Sequence, residues 1–74
     1  SVSKNDLIEE NINFVIQING KKKTILNVDR NINEETLIKK IQENKATNKL
    51  LKNQEIIKTI FVQNRLINII IKDD

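Results

Sequence analysis

Cysteine and histidine are both absent from this sequence, which removes disulfide staples, the usual zinc sites and the nucleophile–base pairs that most covalent catalysis needs. Proline is absent and glycine occurs once, at Gly20, so no Gly-rich phosphate loop can be built. Aromatic residues are reduced to Phe14 and Phe61, too few for the stacking platforms of a single-strand nucleic-acid binder. No apolar run approaches the ~18 residues of a membrane span, and the N-terminal residues carry acids in place of a signal-peptide core; a soluble, cytoplasmic chain is expected. Carboxylate pairs occur at Glu9-Glu10, Glu34-Glu35 and Asp73-Asp74, but neighbouring residues on a strand or helix point in different directions and cannot flank one substrate. The expectation is a non-catalytic chain that works by binding.

What remains is a small domain rich in Ile, Asn and Lys, with a net charge of +3 over 74 residues. A domain of this size buries only about 60% of the surface its unfolded chain exposes. Residues 1–11 read as an incoming arm, with Leu7 or Ile8 free to dock, residues 12–72 as a single domain, and residues 73–74 as a tail. Ile12, Phe14, Ile16 and Ile18 alternate with other residues and mark a half-buried strand. Asn19-Gly20 is a hairpin turn signal, because both residues accept a positive φ. A second strand follows from about Lys22 to Val28.

Parity makes this hairpin informative. A plain two-residue turn would pair Ile16 with Lys23 and Phe14 with Ile25, leaving Leu26 and Val28 on the wrong face. An odd-length loop or a bulge that includes Lys21 would restore one apolar face, a bulged hairpin being favoured, and would gather Gln17, Asn19, Lys21 and Lys23 on the outer face, with Lys22 turned to the side of Leu26.

Asn33 before Glu34-Glu35 predicts a helix start, and Leu37, Ile38 and Ile41 mark its apolar face. Ala46, Leu50 and Leu51 resume the stripe in shifted phase, predicting a second short helix over about Lys45 to Lys52, ended by Asn53 in a left-handed conformation. Ile56 to Val62 and Leu66 to Ile71 form a second hairpin around Gln63-Asn64. The last strand, broken only by Asn68, belongs in the centre of the sheet. The order ββααββ predicts an α+β domain: one four-stranded sheet with the helices on one face.

The basic candidates are Lys21, Lys22, Lys23, Lys58 and Arg65. Two readings of the lysine run stand side by side: a charged strand end that guards a sheet edge, or a cationic tip for a polyanion.

Two segments go further than composition. NFVIQINGK from Asn13 and IFVQNRLINII from Ile60 closely resemble the C-terminal domain of bacterial-type leucyl-tRNA synthetases, whose pattern reads roughly V-Q-V-N-G-K-x-R, then a helical stretch opened by two acids, then I-Y-V-P-G-K-L-V-N-I-V. The likeness runs from about Asp6 to Lys72. It implies a β-grasp-like roll with strand order 2-1-4-3 and parallel central strands. It also implies a non-catalytic module, tethered to a class I synthetase, that contacts the D/T-loop corner of tRNA(Leu). The residues implied for that contact are Gln17, Asn19, Gly20, Lys21, Lys23, Arg65 and Asn68. Lys23 stands where arginine is common and Arg65 where lysine is. Phe61 replaces a common tyrosine, and Gln63-Asn64 the usual Pro-Gly, which implies a less rigid second turn. The sequence has nothing like the H-I-G-H and K-M-S-K-S signatures, so leucine activation, ATP, Mg and editing are expected in the remainder of the synthetase. No cofactor is expected in this domain, and a monomer is. Parallel central strands would set the two hairpin tips at opposite ends of the sheet, which favours the first tip as the main contact. A β-grasp-like protein-interaction module, using an exposed Val15 and Ile25, is the alternative.

Overall fold

The computed structural model describes residues 10–72; the expected docking of Leu7 or Ile8, and the tail, lie outside them. The chain runs β1 (Asn11–Ile18), β2 (Lys21–Asp29), α1 (Glu34–Glu43), α2 (Lys45–Asn48), a 3-10 turn (Lys49–Leu51), β3 (Ile56–Val62) and β4 (Leu66–Ile71). The four strands form one sheet in the order β2-β1-β4-β3. The outer pairs are antiparallel and the central β1–β4 pair is parallel. This is the mixed α+β arrangement that the resemblance implies.

One face of the sheet is dry. Phe14, Ile16 and Ile18 on β1 meet Ile67, Ile69 and Ile71 on β4, with Val28 of β2 beside them. Leu37 and Ile41 of α1, with Leu51 beyond α2, close the core from above. The period of two on the strands and the i, i+4 spacing on α1 are what bring these side chains to one layer. Phe61 packs against the core edge, its ring stacked 5.6 Å from that of Phe14. A tyrosine hydroxyl is therefore dispensable at Phe61 for this packing.

The helices are placed by polar caps. The Asn33 side chain accepts from the Thr36 N–H at 2.8 Å, as an N-cap should. Asn44 ends α1 and caps α2, accepting from Ala46 and Thr47. Buried Thr47 donates its hydroxyl to the Ile41 carbonyl at 2.7 Å, which satisfies an orphan carbonyl of α1 and fixes the bend between the helices. At the other end the Thr59 hydroxyl donates to the Glu34 carboxylate, anchoring the start of α1 to β3. The second helix predicted over Lys45 to Lys52 is one α turn followed by the 3-10 turn, and Asn53 is left-handed (φ 57) as expected. Lys52 is left-handed as well (φ 53).

The first hairpin differs from the parity expectation in one respect. A bulge is present, but it follows a regular two-residue turn and does not include Lys21: Ile18 pairs with Lys21, Gln17 with Lys22, and Ile16 with Thr24, leaving Lys23 as the extra residue. Asn19 and Gly20 both have positive φ (52 and 84), as a type I′ turn needs. Cross-strand partners share a face. Lys22 therefore lies with Gln17 on the outer face, while Lys21 lies with Ile18 on the helix side. The phase change falls after Lys23, so Thr24, Leu26 and Val28 return to the core without moving Lys21 outward.

Candidate nucleic-acid interface

The tip of the first hairpin is held by the end of β4. The Asn19 N–H donates to the Ile69 carbonyl at 3.0 Å, and the Asn19 side-chain oxygen accepts from the Ile71 N–H at 2.9 Å. The Gly20 N–H donates to the side-chain oxygen of Asn68 at 2.9 Å. These contacts extend the parallel ladder past the last paired residues, Ile18 and Ile69. Asn19, Gly20 and Asn68 thus fix the direction in which the lysines leave the sheet. The positive φ of Gly20 makes a side chain strained there, although a Cβ would meet open space.

Lys21 and Lys23 then project on the helix side, against the residues after α2. Together with Lys49, Leu50 and Lys52 they surround a depression of about 300 Å³ whose floor includes Ile18 and Ile71. Among the described residues, four ammonium groups line it and no carboxylate does. The ion pair between Arg30 and Glu10, at 2.8 Å, involves none of these residues. No group of three or more acidic side chains able to hold a metal occurs among the described residues. The chemistry on offer is electrostatic: four cations around one concave surface.

Of the residues singled out from the sequence, Gln17, Asn19, Gly20, Lys21, Lys23 and Asn68 meet at this end of the sheet. Gln17, Asn19, Lys21 and Lys23 do not share the outer face as expected. Gln17 and Asn68 pair on the outer side, Asn19 and Gly20 form the turn, and Lys21 and Lys23 turn toward the helices because the bulge comes after them. Lys22, which parity would turn to the side of Leu26, is the lysine beside Gln17. Lys49 and Lys52 are not singled out by the sequence. Their available signal is the i, i+3 spacing just before Asn53, but only the placement of the 3-10 turn over the hairpin reveals a shared depression.

Arg65 is elsewhere. It opens β4, its N–H donating to the Val62 carbonyl and its own carbonyl accepting from Val15 at 2.9 Å. With β1 and β4 parallel, that turn sits at the opposite end of β4 from Asn19. Gln63 and Asn64 keep the turn tight by another route. Asn64 is left-handed (φ 61), its side-chain oxygen accepts from the Asn31 N–H at 2.7 Å, and its amide donates to the Asn31 side chain at 2.9 Å. Gln63 adds a bond to the Ile32 carbonyl at 2.8 Å. The looser turn implied by the loss of Pro-Gly is thus tied to the β2–α1 loop.

The outer face of the sheet carries a different pattern. Ile25, Val15, Leu66 and Val62 are successive cross-strand partners and form one apolar row over all four strands. Ile25 is 47% exposed and Val62 40%.

Comparison with known proteins identifies this architecture. No family model matches the chain. It is 38% identical over 65 residues to the leucine–tRNA ligase of Chlamydia abortus, covering 88% of this chain, and 41% identical over 61 residues to that of Wigglesworthia glossinidia brevipalpis, covering 82%. This chain is a homologue of one small segment of leucine–tRNA ligase. It spans 8% of the first of these relatives and 7% of the second. The fold agrees: a LeuRS from Agrobacterium radiobacter K84, solved in a ternary complex with tRNA and LeuAMS, superposes with a TM-score of 0.76 at 27% identity, over 85% of this chain and 8% of that one.

Proposed function

We propose that this chain is the C-terminal tRNA-binding domain of a leucyl-tRNA synthetase, and that it holds the outer corner of tRNA(Leu) through the first hairpin to support leucylation by the full-length enzyme. The observation that carries this reading is the pinned tip: Asn19, Gly20 and Asn68 anchor a turn from which Lys21 and Lys23 project beside a depression lined, among the described residues, by lysines and no carboxylate. The solved relative is a tRNA complex, and the synthetase resemblance reaches both hairpins. Lysines of this kind contact phosphates; they position the nucleic acid and carry no sequence information directly. Leucine, ATP and Mg chemistry would belong to the rest of the enzyme, in the cytoplasm.

The test is the Lys21→Ala/Lys23→Ala variant of the synthetase that carries this chain. It should bind tRNA(Leu) more weakly, and the slope of log affinity against log salt should fall by about one per lost phosphate contact. Unchanged affinity and slope would remove the first hairpin from the interface.

The apolar row Ile25-Val15-Leu66-Val62 favours a second reading, a protein-interaction surface. NMR titration separates the two. Shifts at Gln17 to Lys23 that disappear at high salt support tRNA, and salt-insensitive shifts at Val15 and Ile25 with a protein partner support the row.

A further inference from the structure

We propose that the RNA backbone seats on the helix side of the first hairpin, in the depression between the β2 lysines and the 3-10 turn, and that Lys49 and Lys52 are phosphate-contacting residues alongside Lys21 and Lys23. The inference rests on the tRNA-binding reading and deepens it, assigning the face and two further cations.

The geometry that selects this face is the position of the bulge. Because the extra residue is Lys23, both Lys21 and Lys23 stay on the side of Ile18 and line the depression with Lys49 and Lys52. The outer face at this end carries Lys22 beside Gln17 and Asn68 and, on the far edge strand, Lys58 opposite Ile70; neither lysine lines the depression. Four cations around one concave, partly apolar surface raise the local potential and restrict where counterions can sit, which a polyanion relieves by displacing them. The depression is walled on one side by the strand and on the other by the turn that follows α2. A phosphate seated there is contacted from two elements.

A second observation concerns Lys52. It adopts the left-handed conformation (φ 53), followed by left-handed Asn53 (φ 57). Asparagine accepts this conformation readily, lysine does not, and glycine or asparagine is the usual choice at such a helix end. The Lys52 N–H closes the 3-10 turn on the Lys49 carbonyl at 3.1 Å, so the strained backbone also holds Lys49 and Lys52 at one lip. An unfavourable residue kept at the rim of a cationic depression points to its charge as its use.

The experiment measures binding of transcribed tRNA(Leu) by the synthetase that carries this chain, at several salt concentrations. Variants are Lys49→Ala/Lys52→Gly, Lys21→Ala/Lys23→Ala, and Lys22→Ala on the outer face, each with a thermal melt. Glycine at 52 suits the left-handed backbone, so the first variant should melt no lower than the parent. Counterion release makes each lost phosphate contact worth roughly fivefold in affinity at about 0.15 M salt. Lys49→Ala/Lys52→Gly should therefore weaken binding by about 25-fold and lower the salt slope by about two, with Lys22→Ala leaving the slope unchanged. If Lys49→Ala/Lys52→Gly binds like the parent while Lys21→Ala/Lys23→Ala is weakened, the helix-side depression is overturned and the hairpin reading stands. If neither double variant is weakened, both fall.

Discussion

The two hairpins of this sheet solve the same problem with different chemistry. Each must hold a tight turn in a chain with one glycine and no proline, and each does so with a left-handed asparagine whose side chain reaches another element. At the first turn, Asn19 is tied to the main chain of β4, through Ile69 and Ile71. At the second, Asn64 is tied to the equally left-handed Asn31 (φ 65) by a reciprocal pair of bonds. The first lock completes a ladder of the central strands, and the second links two exposed loops. Asparagine carries a small conformational penalty relative to glycine but adds a donor and acceptor that glycine lacks, so turn geometry and tertiary position are fixed by one residue.

The charges divide along the same line. The first turn leads into three consecutive lysines and faces two more across the depression, whereas the second leads into Arg65 and is flanked on β3 by exposed Val62 and Ile60. Both outer strands are sheet edges with a bulge, between Ile16 and Gln17 opposite β2 and between Ile56 and Lys58 on β3. Bulges and lysines are common guards of exposed edges. An edge guard needs no depression, however, and β3 manages with a bulge and Lys58 beside exposed Ile57 (63%). The excess of lysine at β2 goes beyond what the other edge uses for protection.

The largest effect is expected from Asn19→Ala. Alanine is unfavourable at positive φ by about 1–2 kcal/mol, and the part-buried Ile71 N–H loses its acceptor, which costs about 1–3 kcal/mol. A loss of about 2–5 kcal/mol in denaturant unfolding is expected, with the lysines losing their fixed direction as well. Asn68→Ala should cost less, because the Gly20 N–H it accepts from is exposed. If Asn19→Ala is harmless, the lock between β4 and the first turn is not what holds the tip.

Asn64→Ala should be milder, about 1–2 kcal/mol, since its bonds to Asn31 are exposed and only the left-handed strain resembles the Asn19 case. Asn64→Gly sharpens the comparison. It removes the strain and keeps the loss of side-chain bonds, so a cost below about 1 kcal/mol is expected by urea unfolding. Equal costs for alanine and glycine would show that the bonds to Asn31 and not the φ at Asn64 are what the turn depends on.

The strands, the caps and the central place of β4 are legible in the sequence because each rests on local rules: alternation around Phe14, the Asn33 cap before two acids, and the apolar run to Ile71. Parallel pairing of β1 with β4 is non-local, and no periodicity reports it; the family resemblance supplies it. The face of Lys21 and Lys23 is not legible, for a definite reason. Parity requires one extra residue somewhere between Ile18 and Leu26, but the same apolar pattern is satisfied by a bulge before or after the lysines. Only hydrogen bonding chooses between them, and it chooses Lys23. The partnership with Lys49 and Lys52 is hidden for a similar reason, since it depends on how far the helices carry the chain across the sheet.

The smallest effect is expected at Arg65. Its backbone groups bond to Val62 and Val15, its side chain is exposed, and exposed substitutions away from such bonds usually stay within about 0.5 kcal/mol. Arg65→Ala should therefore leave unfolding unchanged. In tRNA(Leu) titrations it should also leave the salt slope close to the parent value, because the parallel central strands set it at the far end of β4 from the lysine depression. A slope lowered by about one would give Arg65 a phosphate contact of its own. The two ends of the sheet would then both grip the RNA, and the division of charge between the hairpins would mark two points along one backbone path instead of a single binding end.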